Sequence, residues 1–292
     1  MRCSECQKDA VIRVAHKGKN YCADHFRRYF LAQVGGILNK YRIEGEVAVA
    51  VSGGKDSGAC LEALTHFRRI EVRPFHINLG IDGYSRESLR RAKELAEELG
   101  LELNIVDLKG EYGVTIPELK ARERGKICGL CGTIKRYLIN KFAYENGLDY
   151  VATGHNLSDV VSSMFNNLAN VYLTPFRGLE PYQEKMTEFK LVGRIKPLYY
   201  LKDEECLVYA ETNGIPFHRE ACPFSSESPT NELKDWLHEL DSRNPGILRN
   251  FARSFMRIEE RMGRNKEEMR RCERCGYATA TRVCRFCRVV GG

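Results

Sequence analysis

The sequence predicts an α/β protein: a parallel sheet with helices on both faces, flanked by a small zinc-binding module at each end. Three observations predict it. From Gly45 onward, short β-branched runs alternate with helical patterns, the order that builds parallel strands joined by crossover helices. The first strand, Val47-Ala48-Val49-Ala50-Val51, is apolar throughout and runs straight into Ser52-Gly53-Gly54-Lys55-Asp56-Ser57 and then a helix. Finally, cysteines spaced as metal ligands crowd the two ends of the chain.

At the amino end, Cys3-x-x-Cys6 is followed by Cys22-x-x-His25. Two such pairs of soft or imidazole ligands make a tetrahedral Cys3His zinc site, the alternative being unmetallated thiols. A ribbon this short cannot fold on apolar burial, so the metal supplies its stability, with a structural or RNA-contacting role. Asp24 to Tyr41 reads as a linker helix despite Gly35-Gly36. Strands are expected at Val47–Val51, Val72–Asn78, Glu102–Leu108 and Tyr150–Thr153. Helices are expected at Ser57–Arg68, Ser85–Leu99, Thr133–Asn146 and Leu157–Leu168. The resulting division is 1–26 (zinc finger), 27–44 (linker helix), 45–223 (nucleotide domain), 224–270 (helical segment) and 271–292 (second zinc finger).

Ligands of such sheets sit past the carboxyl ends of the strands. Three stretches end there: Ser52–Ser57, His76-Ile77-Asn78-Leu79-Gly80 and Thr153-Gly154-His155-Asn156. In the first, two glycines let the backbone turn tightly and approach a ligand, and the following helix aims its free amides at the same spot. Ser52, Lys55 and Ser57 add donors, which makes an anion cradle rather than a bare turn. The spacing fits neither a Walker A loop nor a G-x-G-x-x-G turn. His76 and His155 are expected to make ordinary hydrogen bonds.

Between Glu111 and Gly132 there is little periodicity, and Cys128-x-x-Cys131 then stands at the mouth of a helix, where thiols should be acidic. A redox pair, half a zinc site and half an iron–sulfur site all fit it; Cys222-Pro223 stands alone later, as some cluster-binding runs end. Lys135 follows Cys131 by one turn and should face the pair. Leu233 to Arg271 reads as helical, broken at Asn244-Pro245-Gly246. The chain closes on Cys272-x-x-Cys275 and Cys284-x-x-Cys287, a second zinc set, and a diglycine tail read as frayed. Cys60 and Cys206 fall in helical patterns as buried apolar residues.

With 292 residues, no apolar run of membrane length and no secretory h-region, the chain is expected to be cytoplasmic, where its twelve cysteines serve metals rather than disulfides. The net charge of +7 suits an anionic partner. Arg249, Arg253, Arg257 and Arg261 recur along one predicted helix whose other face carries Phe251, Phe255, Ile258 and Met262. Like charges at that spacing repel, so the row reads as a phosphate-backbone contact or a solvated face.

The Ser52–Ser57 loop resembles the SGGxDS loop of the PP-loop ATP pyrophosphatases, which makes the expected fold a Rossmann-like PP-loop domain with an ATP site. The ordered set of motifs covers nearly the whole chain and resembles the tRNA 2-thiouridine synthetases of archaea and thermophilic bacteria. It comprises the amino-terminal Cys3His set, Ser52–Ser57, His76–Gly80, Cys128-x-x-Cys131, Lys135-Arg136-Tyr137, Thr153–Asp159, Cys222-Pro223 and the last four cysteines. The resemblance implies ATP-dependent sulfur transfer to C2 of a tRNA uridine, at the wobble or the T-loop position. It implies a 4Fe–4S cluster on Cys128, Cys131 and Cys222, and catalytic roles for Asp56, Lys135 and Asp159. ATP would lie against Ala50, Ser52–Ser57, Ile77, Lys135, Gly154 and Asp159, with Mg²⁺ on Asp56 and Asp159. Sulfur would come from a ubiquitin-like thiocarboxylate carrier or sulfide, through the cluster or through a cysteine persulfide, and a homodimer is implied. One position departs: Ser158 stands where the family usually has a first acid before Asp159. Competing readings are a PP-loop ligase that adenylates a small molecule, and a non-catalytic zinc-finger adaptor for RNA.

Overall fold

The computed structural model describes residues 1–123, 127–171, 178–225, 231–262 and 269–291. The amino-terminal ribbon pairs β1 (Ile12–Val14) with β2 (Lys19–Tyr21) in antiparallel fashion, and α1 (Ala23–Lys40) follows. Then come β3 (Gly45–Ala50), α2 (Lys55–Thr65), β4 (Ile70–Asn78), α3 (Tyr84–Glu98) and β5 (Asn104–Asp107). Two short helices, α4 (Leu108–Tyr112) and α5 (Ile116–Arg122), lead to the long α6 (Ile127–Glu145). Next are β6 (Tyr150–Ala152), α7 (Leu157–Ala169), β7 (Tyr182–Gln183), β8 (Gly193–Ile195) and α8 (Asp203–Thr212). The chain continues through α9 (Asn231–Arg243) and α10 (Ile247–Met262). It closes on β9 (Arg270–Arg271), β10 (Ala278–Thr279) and α11 (Arg285–Val289).

The central sheet has six strands in the order β5-β4-β3-β6-β8-β7, parallel except for the β7–β8 edge pair. The order reverses between β3 and β6, so a crevice opens at their carboxyl ends, the rim where the Ser52–Ser57 loop lies. Alternation along β3 splits the core in two. Val47 and Val49 meet Phe26, Phe30, Leu61 and Tyr209 on one side. Ala48 meets Phe75, Leu138, Val151 and Phe286 on the other.

The four predicted strands and four predicted helices are all present, and all but the start of the Thr133 helix lie within a few residues of their expected ends. Other expectations are corrected. Asp24–Tyr41 is not a tether: α1 buries Phe26, Phe30, Val34 and Leu38 completely, because its apolar stripe faces α2 and α8. The helix expected from Thr133 starts at Ile127, so both cysteines lie in its first turns. The unpatterned stretch before it holds α5, started by a Thr115–Glu118 capping box with Pro117 beside it. Leu233–Arg271 is helical only to Met262, and Arg270–Arg271 pair as a strand; residues 263–268 lie outside the described residues. The break at Asn244-Pro245-Gly246 is held by buried Asp241, which accepts from the Gly246 amide at 3.1 Å. The tail is not frayed through residue 291: Val290 is buried and Arg274 donates to the Gly291 carbonyl at 2.8 Å. No helix among the described residues is long and apolar enough to cross a membrane.

The arginine row is also corrected. Arg249 is buried and donates to Gln33 Oε1 at 2.9 Å, to the Tyr29 hydroxyl at 3.1 Å and to the Tyr200 carbonyl. Tyr29 in turn donates to the fully buried Glu205 at 3.1 Å. Only Arg253, Arg257 and Arg261 are exposed, while Ile258 faces solvent instead of the core. The helix rotates this way because Leu248, Ala252 and Phe255 form its buried stripe. Arg249→Ala should therefore destabilise the protein by about 3 kcal/mol, because it strands a buried carboxylate and phenol. Urea unfolding is the measurement, with Arg253→Ala expected to change little.

Candidate active site at the carboxyl rim of the sheet

The loop after β3 folds as a cradle. Gly53 has φ +76°, and a Cβ there would lie 2.3 Å from the Ser88 carbonyl oxygen, so only glycine fits. The Ser52 amide donates to Ser57 Oγ at 3.0 Å, and Ser57 Oγ donates to the Gly54 carbonyl at 2.9 Å. Gly54 caps α2 without a side chain, which leaves the first-turn amides directed at the rim. Ala50 and Ile77, at the ends of neighbouring strands β3 and β4, are half-buried beside the loop.

Lys55 and Asp56 join a polar network that reaches two other elements. Lys55 Nζ lies 2.9 Å from both Asp56 oxygens and 2.7 Å from Asp203 Oδ1. Asn156 Nδ2 donates to Asp56 Oδ1 at 3.1 Å and to Asp203 Oδ1 at 3.2 Å. Asn156 also caps α7 reciprocally with Asp159, and Asp159 pairs with Lys234. Burial raises the Asp56 carboxyl; Lys55 opposes that shift, and the charges of Asp159 and Asp203 add to it. Burial also pushes Asp159 upward, but Lys234 and the Asn156 amide more than offset it, so this carboxyl stays below the usual range. Gly154 closes the cradle from β6: a Cβ there would lie 2.7 Å from the Asp56 carbonyl and 2.8 Å from the Ser57 amide nitrogen.

The cysteines converge on the same rim. The segment after α8 crosses it, the His218 amide donating to the Gly53 carbonyl at 3.0 Å and the His218 ring meeting Ser88 Oγ at 3.2 Å. Four residues on, Cys222 comes beside Cys131, and Cys128 Sγ donates to the Phe224 carbonyl at 3.2 Å. Cys131 is not acidic as its place near a helix start suggested: burial raises it, with Lys135 pulling the other way. Lys135 is exposed, and its charge reaches Cys131, Tyr84 and His76. His76 is only half satisfied: Nδ1 bonds the Val51 carbonyl at 2.8 Å, and buried Nε2 has no hydrogen-bond partner. His155 Nδ1 meets Thr153 Oγ1 at 2.8 Å, as expected.

The terminal sets form two further clusters. Cys3, Cys6, Cys22 and His25 place their ligand atoms within 4.8 Å of one another, and so do Cys272, Cys275, Cys284 and Cys287. The Cys6–Cys22 and Cys275–Cys284 sulfurs are 3.7 and 3.8 Å apart. A tetrahedron of zinc–sulfur bonds has edges of about 3.8 Å. The second set sits on α6, where Phe286 stacks on Tyr137 with centroids 3.8 Å apart. Among the described residues, Cys128, Cys131 and Cys222 do not form a set this close.

Sequence reasoning placed Asn156 at the rim without giving it a role, and it missed Asp203, Lys234 and His218. These three sit in segments without a recognisable motif and reach the rim only through the fold; the acidic start of α8 was the one available signal.

The comparisons agree with this geometry. A family profile described as a PP-loop domain matches residues 27–235. The chain is 34% identical to the tRNA-5-methyluridine(54) 2-sulfurtransferase of Pyrococcus horikoshii, covering 100% of this chain and 94% of that one. It is 37% identical to the enzyme of the same description from Thermus thermophilus, over 99% of this chain and 91% of the other. A solved U34-tRNA thiolase, NcsA from Methanococcus maripaludis with its [4Fe-4S] cluster, superposes with TM-score 0.83 at 29% identity. That match covers 99% of this chain and 95% of the other. The chain thus belongs to the PP-loop family and, within it, to the tRNA 2-thiolation sulfurtransferases.

Proposed function

We propose that this chain uses ATP to exchange the C2 oxygen of a tRNA uridine for sulfur, with position 54 as its target. One observation carries the reading: the crossing segment brings a third cysteine beside Cys128 and Cys131 at the rim that holds the nucleotide loop. The choice of position 54 is supported by the names of the Pyrococcus and Thermus relatives.

A uridine C2 oxygen is a poor leaving group and must be activated first. The oxygen attacks the α-phosphate of ATP, and the bond to pyrophosphate breaks. The departing pyrophosphate is received by the Ser52–Ser57 amides and hydroxyls, with Lys55 and Lys135 offsetting its charge. Lys55 must first leave Asp56 and Asp203, which hold it at the mouth of the cradle. Sulfur then attacks C2, the C–O bond breaks, and AMP leaves with the original oxygen.

Asp56 and Asp159 suit Mg²⁺, a cation that takes oxygen ligands and bridges phosphates, since their charges already act on each other across the cradle. Ser158 leaves that pair without a third acid on α7, and its Oγ instead meets the Asp203 amide at 3.4 Å. The three converging thiols suit a 4Fe–4S cluster, whose ligands sit on separate irons and so stand wider than those of one ion. Bound there, it would leave one iron without a protein ligand, and with it a place for sulfur. The terminal sets suit one Zn²⁺ each, held for structure. Arg253, Arg257 and Arg261 offer an outer contact for tRNA. Sulfur from a ubiquitin-like thiocarboxylate carrier or from sulfide, a homodimer and a cytoplasmic setting complete the reading.

The test is mass spectrometry of tRNA nucleosides, mapped by position, after incubation with ATP, sulfide and the anaerobically purified protein. A thiolated uridine at position 54 is expected; one at position 34 would replace that target, and none would sink the reading. Gly154→Ala should weaken ATP binding at least tenfold, roughly 1.4 kcal/mol, because its methyl displaces the loop backbone. Titration calorimetry reads this directly. Cys128→Ser, Cys131→Ser and Cys222→Ser should each lower iron per chain to background with the zinc content intact; full thiolation by iron-free protein would exclude the cluster. Stripping the terminal sets with a strong chelator should release two equivalents of zinc and lower Tm.

A further inference from the structure

Beside the cradle lies a pair of guanidiniums with no ion pair to a described residue. Asn140 on α6 donates to the Lys190 carbonyl at 2.8 Å and accepts from the Val192 amide at 3.2 Å. That double contact runs the chain leading into β8 alongside α6 in the opposite direction. Arg194, two residues beyond Val192, is thus brought level with Arg136, about one turn before Asn140. Arg194 pairs in register with Val151, so its side chain leaves the sheet on the face that α6 covers.

Arg136 reaches only Thr133 Oγ1, at 3.4 Å, and Arg194 has no hydrogen bond or ion pair to a described residue. Burial and the charge of Arg136 push Arg194 down to about 10 against the opposing charge of Glu180, and burial with the nearby Arg285 also lowers Arg136. Lys196 is buried next along the strand, with Nζ on the Glu180 carbonyl at 2.7 Å. The pair lies between two groups of the proposed chemistry: Arg136 feels the charge of Cys131, and His155 feels both arginines and Asp159. Arg194 is half-buried and Arg136 exposed beside it, and like charges held this close repel unless an anion completes them.

We propose that Arg136 and Arg194 form a phosphodiester subsite that seats the RNA backbone beside the target base, between Cys131 and Asp159. The ATP phosphates have their own cradle at Ser52–Ser57, which leaves these cations for the polynucleotide. Arg285, exposed on the carboxyl-terminal module, extends the positive path outward. This subsite rests on the tRNA reading given above.

The test compares the full-length native holoprotein with Arg136→Met/Arg194→Met and Arg136→Lys/Arg194→Lys, using filter binding of tRNA over a salt series. The methionine pair should weaken tRNA binding at least tenfold and flatten the log–log salt slope by roughly 1 to 2. ATP affinity and iron per chain should stay native, and melting should come no lower, since repulsion is relieved. The lysine pair should recover the slope but only part of the affinity, as Lys lacks the guanidinium fork. Native tRNA affinity and slope in the methionine pair would overturn the subsite. A tenfold loss of ATP affinity with tRNA binding intact would also overturn it, by assigning the cations to the triphosphate. Native protein that binds no tRNA would instead defeat the thiolation reading itself.

Discussion

One backbone hydrogen bond sets the geometry of the rim: the amide of His218 on the carbonyl of Gly53. It joins the nucleotide loop to a segment more than 160 residues away in the chain. Gly53 faces Ser88 so closely that its carbonyl has little freedom to turn elsewhere. His218 is held from its other side by Ser88 and by the edge of Tyr84, 4.9 Å away. Everything downstream, including Cys222 and the Phe224 carbonyl that receives Cys128, takes its position from this junction. The nucleotide loop and the cysteines are therefore parts of one assembly.

The charges at the rim follow from the same enclosure. Asp56, Asp159 and Asp203 would repel one another strongly if left bare in a half-buried crevice. Lys55 and Lys234 neutralise them, and Asn156 donates one hydrogen to each of two acids while its backbone starts α7. Asn156 thus does with one amide side chain what would otherwise need a further cation. The side of the crevice toward α6 is arranged in the opposite sense, with positive charge in excess. The crevice thus has a positive wall facing an acidic one.

Much of this was legible in the sequence because it is written locally. The Val47–Val51 strand with its Ser52–Ser57 loop, and the four-ligand sets at each end, need only short-range spacing to be recognised. The resemblance gave Cys222, Lys135 and Asp159 their expected roles, which spacing along the chain cannot supply. What stayed hidden depends on rotation and depth. The arginine row on α10 repeats every four residues, but only the packing of Leu248, Ala252 and Phe255 decides that Arg249 turns inward. Cys131 near a helix start suggested an acidic thiol, and burial reverses that tendency. Asp203 and Lys234 belong to helices with no signature, so nothing in their neighbours announced where they would arrive.

The stacking of Phe286 on Tyr137 has a consequence for how the protein fails. Tyr137 lies on the helix that carries Cys128 and Cys131, so the small carboxyl-terminal knob is a splint for the sulfur pocket. Losing the fold around Cys272, Cys275, Cys284 and Cys287 would loosen that splint and be felt at Cys128 and Cys131. A lesion in the knob is therefore a lesion in the helix that carries Cys128 and Cys131.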